Sequence, residues 1–225
     1  MLVVDWMTPN VVAVKPETSL LKCRNLLKEK NIRRLPVVDD ANRVVGIVSD
    51  RDVRGASPSK ATTLEVHEMQ YLLAELKAKD IMTPRPLTVK PDATVEEAAL
   101  LMLDKKIGGL PVVDDSGKLI GIITDQDLFK LLVEITGVRE GGLQLNFVIS
   151  DAPGSMRALF DTLRERGARI LSVLTAYQDG KRNVSIRIRK MDDPRSEDAL
   201  VAHFQDMGLL SSWSRSPRRD QTENA

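Results

Sequence analysis

The sequence is poor in the residues that build metal centres, disulfides and stacking platforms. Its 225 residues hold one cysteine (Cys23), two histidines (His67 and His203) and only 4% aromatics. A single thiol closes no intramolecular disulfide and builds no cysteine cluster on a metal. The two histidines stand far apart with no second ligand near either, so no metal site is expected. Lys and Arg total 33 against 32 Asp and Glu, a formal charge of +1. Nothing in that balance draws the chain to nucleic acid or to an anionic membrane, and the basic stripe and stacked aromatics of a nucleic-acid surface are missing. No run approaches the ~20 apolar residues of a membrane span, and "MLVVDWMTPN" lacks the basic start and apolar stretch of a signal peptide. A cytoplasmic protein is expected.

What the chain does have is repetition. Shifted by 75 residues, Asp5–Arg54 aligns with Asp80–Phe129 without a gap, and 20 of the 50 pairs are identical. The shared skeleton runs Asp-x-Met-Thr-Pro, Val-Lys-Pro, a helical segment, Ile-x-x-Leu-Pro-Val-Val-Asp-Asp, then Gly-Ile and two acids. One structural unit has been duplicated. Thr18/Ser19 and Thr94 follow Lys-Pro as N-caps, and Thr94 with Glu97 forms a capping box. The helices after them carry Leu20, Leu21 and Leu27 in one copy and Val95, Ala98, Leu101 and Met102 in the other, on one face. "LPVVDD" and "RVVGIVSD", or "KLIGIITD", are β-branched runs around turn residues and read as hairpins. Helix resumes after them, so each unit is β-α-β-β-α. Between the units, Thr62 and Glu65 open an amphipathic helix with Met69, Leu72, Leu73 and Leu76 on one face.

The repeated "GIVSDRD" and "GIITDQD" suit a nucleotide. A carboxylate accepts hydrogen bonds from both hydroxyls of a ribose, which makes Asp52 and Asp127 the ribose candidates. Ser49 and Thr124 stand at a strand-to-helix turn, as contacts to phosphate or ribose or as helix caps. Gly46 and Gly121 allow close backbone approach, and Ile47, Val48, Ile122 and Ile123 offer apolar surface to an adenine face. Just before one Leu-Pro stand Arg33 and Arg34; before the other stand Gly108 and Gly109.

At nearly every one of these landmarks, over about residues 1–135, the chain resembles a pair of CBS domains. The resemblance implies two repeats packed through their sheets around a pseudo-twofold axis, with two clefts that take AMP, ADP, ATP or S-adenosylmethionine as regulatory ligand. It also implies a phosphate role for Arg33 and Arg34; two solvated arginines before a strand is the alternative. Which aspartate shares a cleft with them stays open.

The last third reads differently. Leu143, Leu145, Phe147 and Ile149 alternate along a strand. Met156, Leu159, Phe160 and Leu163 share a helical face that ends at Gly167. Two strands flank Asp179-Gly180, Ser196 caps a second helix through Met207, and "LLSSWS" supplies a final strand. The order βαββαβ is ferredoxin-like. "SDAPGSM" and "RGARI" resemble an ACT domain, which implies amino-acid binding at the loop Asp151, Ala152, Pro153, Gly154 and Ser155, or a tight turn there, and a homodimer paired side by side.

The expected fold is therefore α/β, with CBS repeats at 1–55 and 80–136, a linker at 56–79, an ACT domain at 140–214 and a disordered tail at 215–225. That order is similar to the AcuB family, named for acetoin utilisation. The function expected is a non-catalytic, adenosine-sensing regulator, with a regulated enzyme as a candidate partner. An enzyme or enzyme subunit is the alternative, but no catalytic constellation is assigned. Asp50/Asp52 and Asp125/Asp127 stand at i, i+2, which predicts that each pair points apart.

Overall fold

The computed structural model describes residues 1–56 and 75–219. The helix expected from Thr62 therefore lies outside the described residues, except for Leu76. The chain divides into two compact units, Met1–Phe129 and Lys130 onward.

In the first unit, each repeat begins with a helical turn (α1, Val3–Trp6; α4, Ala78–Ile81) and a two-residue strand (β1, Thr8–Pro9; β4, Thr83–Pro84). The main helices follow at Leu20–Glu29 (α2) and Val95–Lys105 (α5). Ser19 and Thr94 cap them, the latter with the expected Glu97 box. Leu20, Cys23 and Leu27 are buried on one, and Val95, Ala98 and Met102 on the other. Leu101 is only half-buried. Burial raises the pKa of the Cys23 thiol, consistent with a structural role.

The hairpins are β2–β3 (Arg34–Val38, Val44–Ser49) and β5–β6 (Gly109–Val113, Leu119–Thr124). Helices α3 (Asp50–Ala56) and α6 (Asp125–Ile135) begin directly after them. The first short strand does not join its own repeat, as a self-contained β-α-β-β-α unit would require. β1 pairs with β6 through Thr8↔Ile122, and β4 pairs with β3 through Thr83↔Ile47. These registers map onto one another under the 75-residue shift, as a pseudo-twofold exchange demands. The bridge Arg43↔Lys118, between matching positions, marks the axis. Prolines 36 and 111 sit on edge strands, where a missing N–H is tolerated.

The exchange explains the repeated glycines. A Cβ on Gly46 would collide with Met82 Sδ, and one on Gly121 with Met7 Sδ. Each glycine accommodates a methionine of the other repeat, so the close approach expected there is made by a side chain of the protein itself.

The second unit contains a short 3-10 turn (Val138–Glu140) and then β7 (Gly142–Ser150), α7 (Arg157–Glu165), β8 (Ile170–Gln178), β9 (Lys181–Ile188), α8 (Pro194–Asp206) and β10 (Leu210–Ser216). The antiparallel sheet has the order β10-β7-β9-β8. Leu143, Leu145, Phe147 and Ile149 face the helices, and the Phe147 and Phe204 rings meet edge-on at 4.9 Å. The cap of α8 is Asp193, not Ser196: its carboxylate accepts from Arg195 N at 2.9 Å. Pro194 fits the first helical position, where no amide is needed, and so shifts the start two residues upstream of the expected cap.

Candidate functional site

The strand-to-helix junctions place the repeated acids. Ser49 ends β3, and both its amide and its hydroxyl donate to Asp52 Oδ2 at 2.7 Å. Thr124 does the same for Asp127, at 3.0 and 2.7 Å. Each hydroxyl thus fixes its aspartate. Asp52 is half-buried, with Oδ1 facing no protein donor among the described residues. Asp127 is buried.

A cavity of about 460 Å³ lies between the repeats, within the range of small-molecule sites. The first repeat contributes Arg34, Ile47, Ser49, Asp50, Arg51 and Asp52; the second contributes Thr83, Arg85–Leu87 and Lys106–Gly109. Asp50 and Asp52 both border it, against the expectation from their spacing: they stand together in the first turn of α3, at the end of the helix that meets the cavity. Their partners nevertheless differ: Arg54 donates to Asp50 at 2.8 Å, while Asp52 serves Ser49.

Arg34 shares the cavity with Asp52. Its guanidinium crosses to the second repeat, over Gly108, where any Cβ would strike it, and comes within 3.8 Å of Asp125. Arg33 is exposed and does not border the cavity. Adjacent strand residues point to opposite faces, so Ile47 and Val48 do not both line it. Ile47 does, and Val48 is fully buried in the core. Ile122, Ile123, Thr124 and Asp127 hold the matching positions in the other repeat, with Ile123 fully buried and Ile122 6% exposed.

Sequence reasoning passed over three cations of the cavity, Arg51, Arg85 and Lys106. Arg85 and Lys106 have left-handed backbones, with φ of 47° and 54°, a conformation costing an ordinary L-residue about 1–2 kcal/mol. Their repeat counterparts are Asn10 and Asn31, at φ of 53° and 49°, and asparagine tolerates that region best among non-glycine residues. The signal was present in the 75-residue alignment, as cations standing opposite asparagines.

In the second unit, Asp151 accepts from Arg182 at 2.6 Å and Ser155 N donates to Ala152 O, so the loop is tied internally. Gly154 is left-handed at φ 84°. Ser155 Oγ and Arg182 Nε are buried without a hydrogen-bond partner. Among the described residues, no group of His, Cys, Asp and Glu is arranged to hold a metal, and no helix is long and apolar enough to cross a membrane.

Two α/β repeats that exchange strands across a pseudo-twofold and enclose a polar cleft define a tandem-module protein. The chain belongs to the CBS domain family, whose model matches residues 3–59 and 78–134. It is 39% identical over 150 residues to the chloroplastic CBS domain-containing protein CBSX2 of Arabidopsis thaliana, across 58% of this chain and 63% of that one. It therefore spans less than two thirds of this relative. A crystal structure of CBSX2 in complex with AMP matches 60% of this chain and 97% of that one, with a TM-score of 0.52. A putative acetoin utilization protein (AcuB) from Vibrio cholerae matches at 31% identity and a TM-score of 0.51, over 62% of this chain and 96% of that one. An inosine-5'-monophosphate dehydrogenase of Korarchaeum cryptofilum is 40% identical over 120 residues, 53% of this chain but 22% of that enzyme.

Proposed function

We propose that the first unit is a regulatory sensor that binds an adenosine-containing ligand between its repeats and catalyses no reaction. The observation that carries this reading is the convergence of Asp52, a ribose acceptor, and Arg34, a phosphate donor, on one cavity. The AMP complex of CBSX2 supports it. In this reading Asp127 and Thr124 serve a second cleft, and Asp52 receives the ribose hydroxyls on its unengaged Oδ1. Thermal unfolding with AMP, ADP, ATP and S-adenosylmethionine tests it. A ligand at 100 times its Kd stabilises by about 2.7 kcal/mol, and Asp52→Ala removes the gain at one site. Absence of a shift with any of the four at millimolar concentration overturns the reading.

The second unit acts in this proposal as an ACT domain that pairs two chains and takes an amino acid at Asp151–Ser155. The βαββαβ order supports the assignment. So does β8, a nine-residue edge strand without a charge or a proline; exposed edges of that kind invite pairing. The loop's unpartnered Ser155 Oγ supports a ligand there. Light scattering of the wild type is expected to give a dimer, and Leu174→Lys a monomer. Ligand occupancy then governs a cytoplasmic enzyme partner, an assignment that co-purification with and without nucleotide tests.

A further inference from the structure

Three cleft positions differ from their repeat counterparts in the same sense. Arg51, Arg85 and Lys106 border the cavity; the residues 75 positions away in the repeat are Gln126, Asn10 and Asn31, all neutral. None of the three cations makes a side-chain hydrogen bond or ion pair among the described residues. Of the cavity's two acids, Asp50 pairs with Arg54, and Asp52, held by Ser49, is the one carboxylate left facing three cations. Arg34 adds a fourth cation, partly offset by Asp125 at 3.8 Å. Uncompensated like charges around a concavity repel one another, and two of these sit on left-handed backbones where the other repeat has asparagine. Strain of that kind is retained at sites where the side chain has a use.

The geometry points to a polyphosphate subsite: Arg51, Arg85 and Lys106 hold the outer phosphates of an adenosine polyphosphate, and they make this cleft select ATP or ADP over AMP. The assignment rests on the adenosine reading above and deepens it. The ribose lies on Asp52, in the first repeat, while two of the three cations come from the second. The phosphate chain therefore runs across the repeat interface. The second cleft has Asn10, Asn31 and Gln126 at these positions and gains Arg33 only where the first has Gly108; with fewer cations, it takes ligands of lower charge.

The test is the triple variant R51Q/R85N/K106N, which installs the side chains that the other repeat carries on the same backbone. Because asparagine suits the left-handed positions, its melting temperature is expected to match or exceed that of the wild type; should it fall, R85N/K106N provides the same comparison. Calorimetric titration of the full chain with ATP, AMP, adenosine and inorganic tripolyphosphate, at constant ionic strength, reads the outcome. The ATP-to-AMP affinity ratio is expected to drop at least about tenfold, adenosine to change less than about twofold, and tripolyphosphate binding to disappear. The reciprocal variant N10R/N31K is expected to raise ATP affinity at the second cleft. An unchanged ATP-to-AMP ratio together with unchanged tripolyphosphate binding in the triple variant overturns the subsite, even if adenosine binds. Tripolyphosphate binding that the triple variant loses, in a protein that takes no adenosine, keeps the cation site and overturns the nucleoside reading instead.

Discussion

Residues 5–54 and 80–129 place strands, helix caps and paired acids at matching positions, yet one cleft carries Arg51, Arg85 and Lys106 where its mirror has Gln126, Asn10 and Asn31. Among the identical positions are those that hold the exchange together: the Met-Thr-Pro strands, the Leu-Pro-Val-Val strands and the glycines beneath the methionines. Buried pairs that diverge, such as Leu20/Val95, Cys23/Ala98 and Val48/Ile123, stay apolar, whereas the positions that change charge, such as Arg51/Gln126, Arg85/Asn10 and Lys106/Asn31, border the cavity or are exposed. Backbone pairing and close packing admit few side chains, whereas a solvated cleft wall accepts many. Duplication thus preserved the scaffold twice and left the charge along the walls between the repeats to differ.

That comparison breaks first in the core. Leu35 and Leu110 occupy matching, fully buried positions, and truncating either to alanine is expected to cost about 2–5 kcal/mol. If the repeats fold as one cooperative body, each variant unfolds in a single transition and the denaturant m value stays constant. Urea unfolding of both variants measures this, and a biphasic transition in only one would show that the halves unfold separately.

The caps give a smaller, unequal effect. Thr94 has the reciprocal Glu97 contact, at 3.0 Å between the side chains, whereas Ser19 has only the Lys22 amide at 3.3 Å. Thr94→Ala is expected to cost about 1–2 kcal/mol and Ser19→Ala about 0.5–1 kcal/mol. Equal losses would mean that the box adds nothing to the cap.

Smallest is a surface contact present on one side only. Glu17 receives hydrogen bonds from Lys77 at 2.8 Å and Lys79 at 2.7 Å, which hold its carboxyl down to about 2. On the other side of the axis, Asp92 would meet Leu2 and Val4 instead. A carboxylate with a lowered folded pKa stabilises the fold above its unfolded value near 4.5, and that contribution is lost as pH falls towards 2. Melting temperatures between pH 5 and 2 should therefore fall more steeply for the wild type than for Glu17→Gln. No such difference is expected for Asp92→Asn, and added salt should shrink the effect at Glu17.

Much of this arrangement was legible in the chain. The 75-residue period located both hairpins, Ser19 and Thr94 as caps, and the aspartates of the cleft. Each of these follows from local periodicity or from a side chain bonding within three residues of itself. Period-two alternation could also have separated Ile47 from Val48, because neighbours on one strand face opposite ways. The cap of α8 was misplaced because Asp193 followed by Pro194 is a stronger start than Ser196.

The sequence by itself determined a duplicated α/β unit with an acid anchored at each strand-to-helix turn, followed by a βαββαβ unit, since repetition and short-range hydrogen bonding specify both. Only the tertiary structure decided which groups meet. A Thr-Pro strand carries the same donors and acceptors whether it pairs with its own hairpin or with the other one, so two residues of sequence do not choose. The packing of Met7 on Gly121 and of Met82 on Gly46 accompanies the exchanged pairing. That pairing brings Arg85 to the cavity that Asp52 borders, lays Arg34 over Gly108, and builds one cleft from residues of both repeats.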